Sequence, residues 1–392
     1  MIAQLARRIT YLQNCCKLCL LAHSCSDGQA EYLRTLSTAK SVDFSDPAVR
    51  SRALSCPAEF VRQLEKPTVL HNLQYVPELV PFLAAADVPN GSYIAAVTQL
   101  YPLLPLLKQH EEQIALIELP LQADGSSEPF TPAHYLQGDS AAAKTTDVLQ
   151  EILLGRLLPH DGQDFSARQQ QLSAWLKQFL QRDIMDLMPV SDDMKFYRFL
   201  CAVAAATGSI VNYANLGKAA GVTSPTAKQW AAYLEGAGLI TYLRPLEHPA
   251  LKRTAKAPKL YFRDTGLAAY LLHIGSAAEL TQSIFFSTLY ETYVYNKIRE
   301  SYLAAGQKPD LSYFRDSNAR EISLLLREGG VLYPIDIVKD SFFAKKLLKK
   351  FKALESLSAE GSVKLGLGGV ISFGRQEKQA AAGLWYLDVE NL

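Results

Sequence analysis

The chain has 392 residues, 48% of them hydrophobic and 20% charged, which is enough to bury several apolar cores and long enough for two or three domains. Forty basic residues oppose thirty-nine acidic ones, so a net charge of +1 excludes a whole-surface field for nucleic acid and leaves only local patches. No apolar run reaches the ~18 residues of a membrane span. Lys17 interrupts the opening "MIAQLARRITYLQNCCKLCLLAHSC" with no small-residue cleavage site after it, so the chain reads as cytoplasmic with no membrane partner.

Residues 1 to about 125 alternate short apolar strands, "KLCLLA", "PTVLH", "SYIAAV" and "IALIELPL", with helical stretches such as "PAEFVRQLE". This order predicts an α/β fold on a mostly parallel sheet. Cys16, Cys19, His23 and Cys25 offer four zinc-type side chains, but "KLCLLA" has the pattern of a buried strand, where reduced cysteine is a small hydrophobe. A second C-x-x-C pair is absent, and no metal site is expected.

The stretch "QADGSSEPFTPAHYLQGDSAAAK" reads as a loop, and a helical segment follows over about 145–190, with "LSAWLKQFLQRDIMDLM" at helical spacing. From Phe196 to about Leu246 the pattern is of short helices. "YANLGKAAGV" is closed by Gly221, and "TSPTAKQWAAYLEGAGLI" starts with Thr223 or Ser224 as N-cap and Pro225 in the first turn. With the strand "LITYLRPL" after it, the outline is a winged helix-turn-helix. In "KLYFRDTGL", Arg263 and Asp264 are expected to pair or to cap a helix beginning near Thr265. The remainder reads as a long helix, "SIFFSTLYETYVYNKIRESYLAAG", three strands in "LSYFRDSNAREISLLLREGGVLYPIDIVKD", and a basic amphipathic helix, "FFAKKLLKKFKALESL". The lysines of that last helix, at 345, 346, 349, 350 and 352, read as a solvated face.

Four stretches carry a resemblance: "DFSDPAVRSRALSCPAEFV", "QRDIMDL", "NYANLGKAAGVTSPTAKQWAAYLEGAGLI" and "APKLYFRDTGLAAYLL". Their order resembles a family of prokaryotic AAA-type P-loop ATPases with a winged helix and a C-terminal restriction-endonuclease-like domain of unknown function. The resemblance implies a P-loop, AAA-like parallel-sheet domain over 1–140, a helical segment over 141–195, a winged helix-turn-helix over 196–255 and an α/β restriction-endonuclease-like domain over 256–392. It also implies ATP and magnesium as cofactors.

The residues needed for that chemistry are replaced. Asp27, Gly28 and Gln29 stand where the family has Gly, Lys and Thr to cradle phosphate, and His71 and Asn72 stand where it has the two acids that hold magnesium and activate water. Ala96, Val97 and Thr98 replace Thr, Gly and Ser after the next strand, and Gln113 occupies the expected position of an arginine. In the last domain a PD-(D/E)-x-K nuclease would need acids and a lysine facing one metal. Here Ser323 stands at the first acid, Asp336 at the second and Val338 at the lysine, with Lys339 sent to the opposite face; Glu291 and Asp336 alone would form a weak magnesium site.

The expectation is therefore a catalytically inactive ATPase-like protein with no catalytic residue and no cofactor, which binds duplex DNA or a protein partner. The alternative is an ATPase that holds ATP by altered contacts and hydrolyses it weakly. DNA contact would run through Lys228 and Gln229 of the groove-facing helix and Lys252, Arg253, Lys256 and Lys259 on or beside the wing. Both a monomer and an oligomer fit these readings.

Overall fold

A computed structural model describes residues 2–24, 33, 40–121, 129–132, 147–159, 164–248, 255–339, 349–354, 363–373, 384–389 and 392. Its first unit is a five-stranded parallel sheet of β1 (Leu18–Ala22), β2 (Lys40–Asp43), β3 (Thr68–His71), β4 (Tyr93–Val97) and β5 (Ile114–Glu118), in the order β2-β3-β4-β1-β5. Both faces are covered, which is why β1 and β4 read as unbroken apolar runs instead of alternating. Leu18, Leu20, Ala95 and Val97 face one core, and Cys19, Leu21, Ile94 and Ile117 face the other, as a period of two requires. Cys19 is fully buried there, and burial pushes its thiol up to about 12.

The second unit begins with the helix Phe165–Phe179, which runs into a wider turn over Leu180–Met185. The helix Asp193–Ala205 leads to β6 (Ser209–Ile210), two further helices, and the hairpin of β7 (Ile240–Leu243) and β8 (Lys259–Phe262), pairing in the order β6-β8-β7. The two middle helices have the ends read from the sequence. Asn212 caps Tyr213–Ala220, Gly221 closes it in the left-handed region at φ 72°, and Thr223 caps Ser224–Gly236. Trp230 lies 5.1 Å from the Phe196 ring and 5.6 Å from Phe199, in the core. The expected boundary at residue 255 is corrected by β8, since residues 259–262 complete the three-stranded sheet.

The long helix Phe286–Ala304 introduces a mixed sheet of β9 (Asp310–Arg315), β10 (Glu321–Glu328), β11 (Val331–Val338), β12 (Lys364–Leu365), β13 (Gly368–Ser372) and β14 (Leu384–Asp388). β9, β10 and β11 are antiparallel, whereas β13 and β14 continue the sheet in parallel from β11. A single apolar core runs from Val148 through Leu172, Trp230 and Tyr290 to Trp385, so the helical segment, the three-stranded unit and the mixed sheet are packed together. Among the described residues no helix is long and apolar enough to cross a membrane.

Candidate functional site

In an open parallel sheet, ligand chemistry gathers beyond the carboxyl ends of the strands. Register places Asp43, His71 and Ala96 level with one another at that end, on β2, β3 and β4. Asn72 follows β3 in the left-handed region, at φ 59°, and its Nδ2 donates to Asp43 Oδ1 at 2.9 Å. Gln74 Nε2 donates to Asn72 Oδ1 at 3.2 Å and to Thr98 Oγ1 at 3.0 Å, and Thr98 in turn donates to Asp183 Oδ1 at 2.8 Å. A ladder of amides and a hydroxyl thus spans the end of the sheet and ties it to the turn Leu180–Met185 within "QRDIMDL". Burial raises the Asp183 carboxyl, the bond from Thr98 only partly opposing it. Burial acts upward on Asp43 as well, but bonds from Asn72 and Ser45 outweigh it and hold that carboxyl below its ordinary value.

This arrangement does not fit a magnesium–nucleotide centre. Asn72 and Gln74 are neutral and already bonded, and Asp43 is held by Asn72 and the Ser45 amide. Among the described residues no three His, Cys, Asp or Glu side chains are placed to hold a metal ion. Gln113 is not part of this end. It immediately precedes β5, at the amino end of the sheet, away from His71 and Asn72. Asp27, Gly28, Gln29 and Cys25 lie outside the described residues. His23 lies at 3.3 Å from the Leu121 carbonyl through Nε2.

At the end of β5 stands a cluster that sequence reasoning missed. Glu118 meets Arg263 at 2.7 Å through Oε1 and Arg299 at 2.6 Å through Oε2. Glu300 meets the same two guanidiniums at 2.9 and 3.1 Å, and its other oxygen accepts the Leu121 amide at 2.7 Å. Burial acts to raise the Glu118 carboxyl, but Arg299 and then Arg263 outweigh it and hold it down at about 2. Next to Arg263, Asp264 caps Thr265–Leu271 through the Leu267 amide, as expected, and also accepts from the Leu157 amide at 2.8 Å. The signals in the sequence were Arg263, expected to pair, and an acid ending an otherwise apolar strand, "IALIE".

Beside this cluster lies a cavity of about 290 Å³ at the carboxyl ends of β1, β4 and β5. The end of Ser224–Gly236 closes it, anchored where Gly236 accepts from the Leu100 amide at 2.8 Å and Gly238 accepts from Ser24 Oγ at 2.8 Å.

The two acids expected at a nuclease-like site, Glu291 and Asp336, are each held by a lysine. Glu291 Oε1 accepts from Lys259 Nζ at 2.8 Å and from the Tyr261 hydroxyl at 2.6 Å, and the same ammonium reaches Glu321 at 2.5 Å. Burial acts to lower Lys259, but the two carboxylates override it and raise it above its ordinary value. Lys259 is only 2% exposed, so its assignment to a phosphate-binding face is corrected. Asp336 Oδ1 accepts from Ser323 Oγ at 3.1 Å, beside a register shift between β9 and β10, while its Oδ2 meets Lys350 Nζ at 2.6 Å. Lys350, read from the sequence as part of a solvated face, is thus an ion-pair partner of a buried carboxylate. Glu291 and Asp336 are neutralised separately, each by its own lysine. Val338 pairs with Ser372 across β13, and Lys339 lies over the Phe286 ring at 4.8 Å.

Of the residues expected to meet nucleic acid, Lys228, Gln229 and Lys256 are exposed. Lys252 and Arg253 lie outside the described residues.

Two family models match the chain, both described as domains of unknown function: DUF8612 over residues 158–278 and DUF4143 over residues 286–388. The first takes in the helical segment, the three-stranded unit and the Asp264-capped helix. Over 183 residues, 45% of its length, the chain is 28% identical to uncharacterized proteins of Mycobacterium tuberculosis and Mycobacterium bovis. The match spans 40% of the length of each relative.

Proposed function

We propose that the chain is an ATPase-like scaffold without a working nucleotide centre, which acts as a binding module and contacts duplex DNA through the exposed start of Ser224–Gly236. The observation that carries the loss of catalysis is the neutral ladder Asn72–Gln74–Thr98. It occupies the carboxyl end of β3 and β4, where magnesium chemistry needs an accessible carboxylate.

The strand order β2-β3-β4-β1-β5 supports descent from a P-loop ATPase, as does the DUF4143 match, a domain commonly associated with AAA ATPases. Helix, strand, two helices and a hairpin support the winged-helix reading. A long helix before three antiparallel strands, continued in parallel, supports the restriction-endonuclease-like reading, and the lysine-held acids support its lack of cleavage. The alternative, weak ATP binding by altered contacts, draws on the cavity beside β1. The pairing of both its arginines with carboxylates weighs against it.

A calorimetric titration of ATP with magnesium should show no binding at millimolar nucleotide; micromolar, magnesium-dependent binding would refute the first half of the proposal. For the second half, duplex DNA binding is measured over a salt series for the parent and for Lys228→Glu. The variant should bind more weakly, with a slope flatter by about one. Equal affinity and slope would refute this face, and no binding by the parent would transfer the role to a protein partner.

A further inference from the structure

We infer that a second cavity, between the helices Pro57–Gln63 and Val80–Ala85, is a binding site for a small apolar carboxylate. It measures about 340 Å³ and lies at the amino end of the first sheet, since Lys66 precedes β3 and Tyr93 begins β4. This inference stands apart from the DNA reading and from the neutral ladder at the other end of the strands. The walls are apolar, from Val61, Ala85 and Val88, and Phe82 adds a ring that stays 39% exposed although it is a large hydrophobe. Such walls suit the body of an aromatic or aliphatic acid.

The polar groups of the lining select the charge. Arg62 and Lys66 are exposed at its rim and make no hydrogen bond or ion pair among the described residues, where Asp87 is the one acid that lines the cavity. Two unpaired cations against one acid leave one positive charge in excess. Ala86, also in the lining, gives its carbonyl to Lys17 Nζ at 2.7 Å, which brings a further ammonium to this end of the sheet. Tyr93 is fully buried in the lining, and its hydroxyl has no hydrogen-bond partner among the described residues. Burial raises that hydroxyl, so it keeps its proton and needs an acceptor. A carboxylate supplies one and offers its charge to Arg62 or Lys66, whereas a cation brings only donors and meets two like charges.

The test titrates the full chain with three flat probes of like shape: 2-naphthoate, anionic; 2-naphthamide, neutral; and 2-naphthamidine, cationic. Near neutral pH naphthoate should bind in the millimolar range or tighter, naphthamide about tenfold more weakly, and naphthamidine more weakly still. Replacing Arg62→Gln and Lys66→Gln together, both at exposed positions, should weaken naphthoate about tenfold, the loss expected for one charge-assisted bond, and leave naphthamide unchanged. Tyr93→Phe should also weaken naphthoate without lowering the urea midpoint, because the hydroxyl it removes has no partner among the described residues. Ala85→Trp, at an exposed position, should abolish binding of both probes by filling the groove. Failure of naphthoate to bind the parent, equal binding of naphthamidine, or naphthoate affinity unchanged in both the Arg62→Gln, Lys66→Gln variant and Ala85→Trp would each overturn the inference.

Discussion

Glu118→Gln keeps the shape of a side chain shared by two guanidiniums and removes only its charge. In the folded chain its carboxyl is held at about 2, against an ordinary value of 4.5. A difference of about 2.5 units corresponds to ~3.4 kcal/mol as an upper bound, at ~1.36 kcal/mol per unit. Because 37% of the side chain faces the cavity, solvent screens part of that interaction, and about 1–2 kcal/mol is expected. A depressed carboxyl contributes fully above about pH 4.5 and loses its contribution as pH falls toward about 2. Urea unfolding at about pH 7 should therefore show the variant less stable by this amount, and the gap should shrink below about pH 4.5 and close toward about pH 2. Equal midpoints near neutrality, or a gap that persists in acid, would show that Glu118 does not join β5 to the long helix Phe286–Ala304.

Three other substitutions probe the packing around these sites. Gly266→Ala would set a Cβ 2.5 Å from the Leu154 carbonyl and 2.7 Å from the Gly155 amide, both backbone, so a loss of about 2–3 kcal/mol is expected in urea unfolding. Thr98→Val removes the donor to Asp183 at nearly constant volume and should cost about 1–3 kcal/mol. Burial already raises the Asp183 carboxyl, so this loss should shrink in acid, where the group is protonated; a loss independent of pH would contradict the ladder. Lys350→Ala leaves the Asp336 carboxylate buried with Ser323 alone and should destabilise by about 2–4 kcal/mol. Adding Asp336→Asn should recover part of that, and a double-mutant cycle with no coupling would refute the ion pair.

Local chemistry by itself determined much of this protein. Unbroken apolar runs such as "LCLLA" and "YIAAV" require burial on both faces, and a parallel sheet covered on both sides provides it. Asn212, Gly221, Thr223 and Asp264 marked helix ends because a cap is satisfied within three or four residues of itself. The absence of an acid directly after β3 was equally readable, since His71 and Asn72 carry no carboxylate wherever they stand. What the tertiary structure alone decided was which charges meet. Lys259 looked like a wing residue and is clamped between Glu291 and Glu321; Lys350 looked solvated and reaches Asp336; Gln113 belongs to the opposite end of the sheet from His71. Glu118 finds Arg263 and Arg299 across 145 and 181 positions of chain (263 − 118 and 299 − 118). An ion pair leaves no periodic trace in a sequence, because its geometry depends on how separate elements pack and on the water that packing removes.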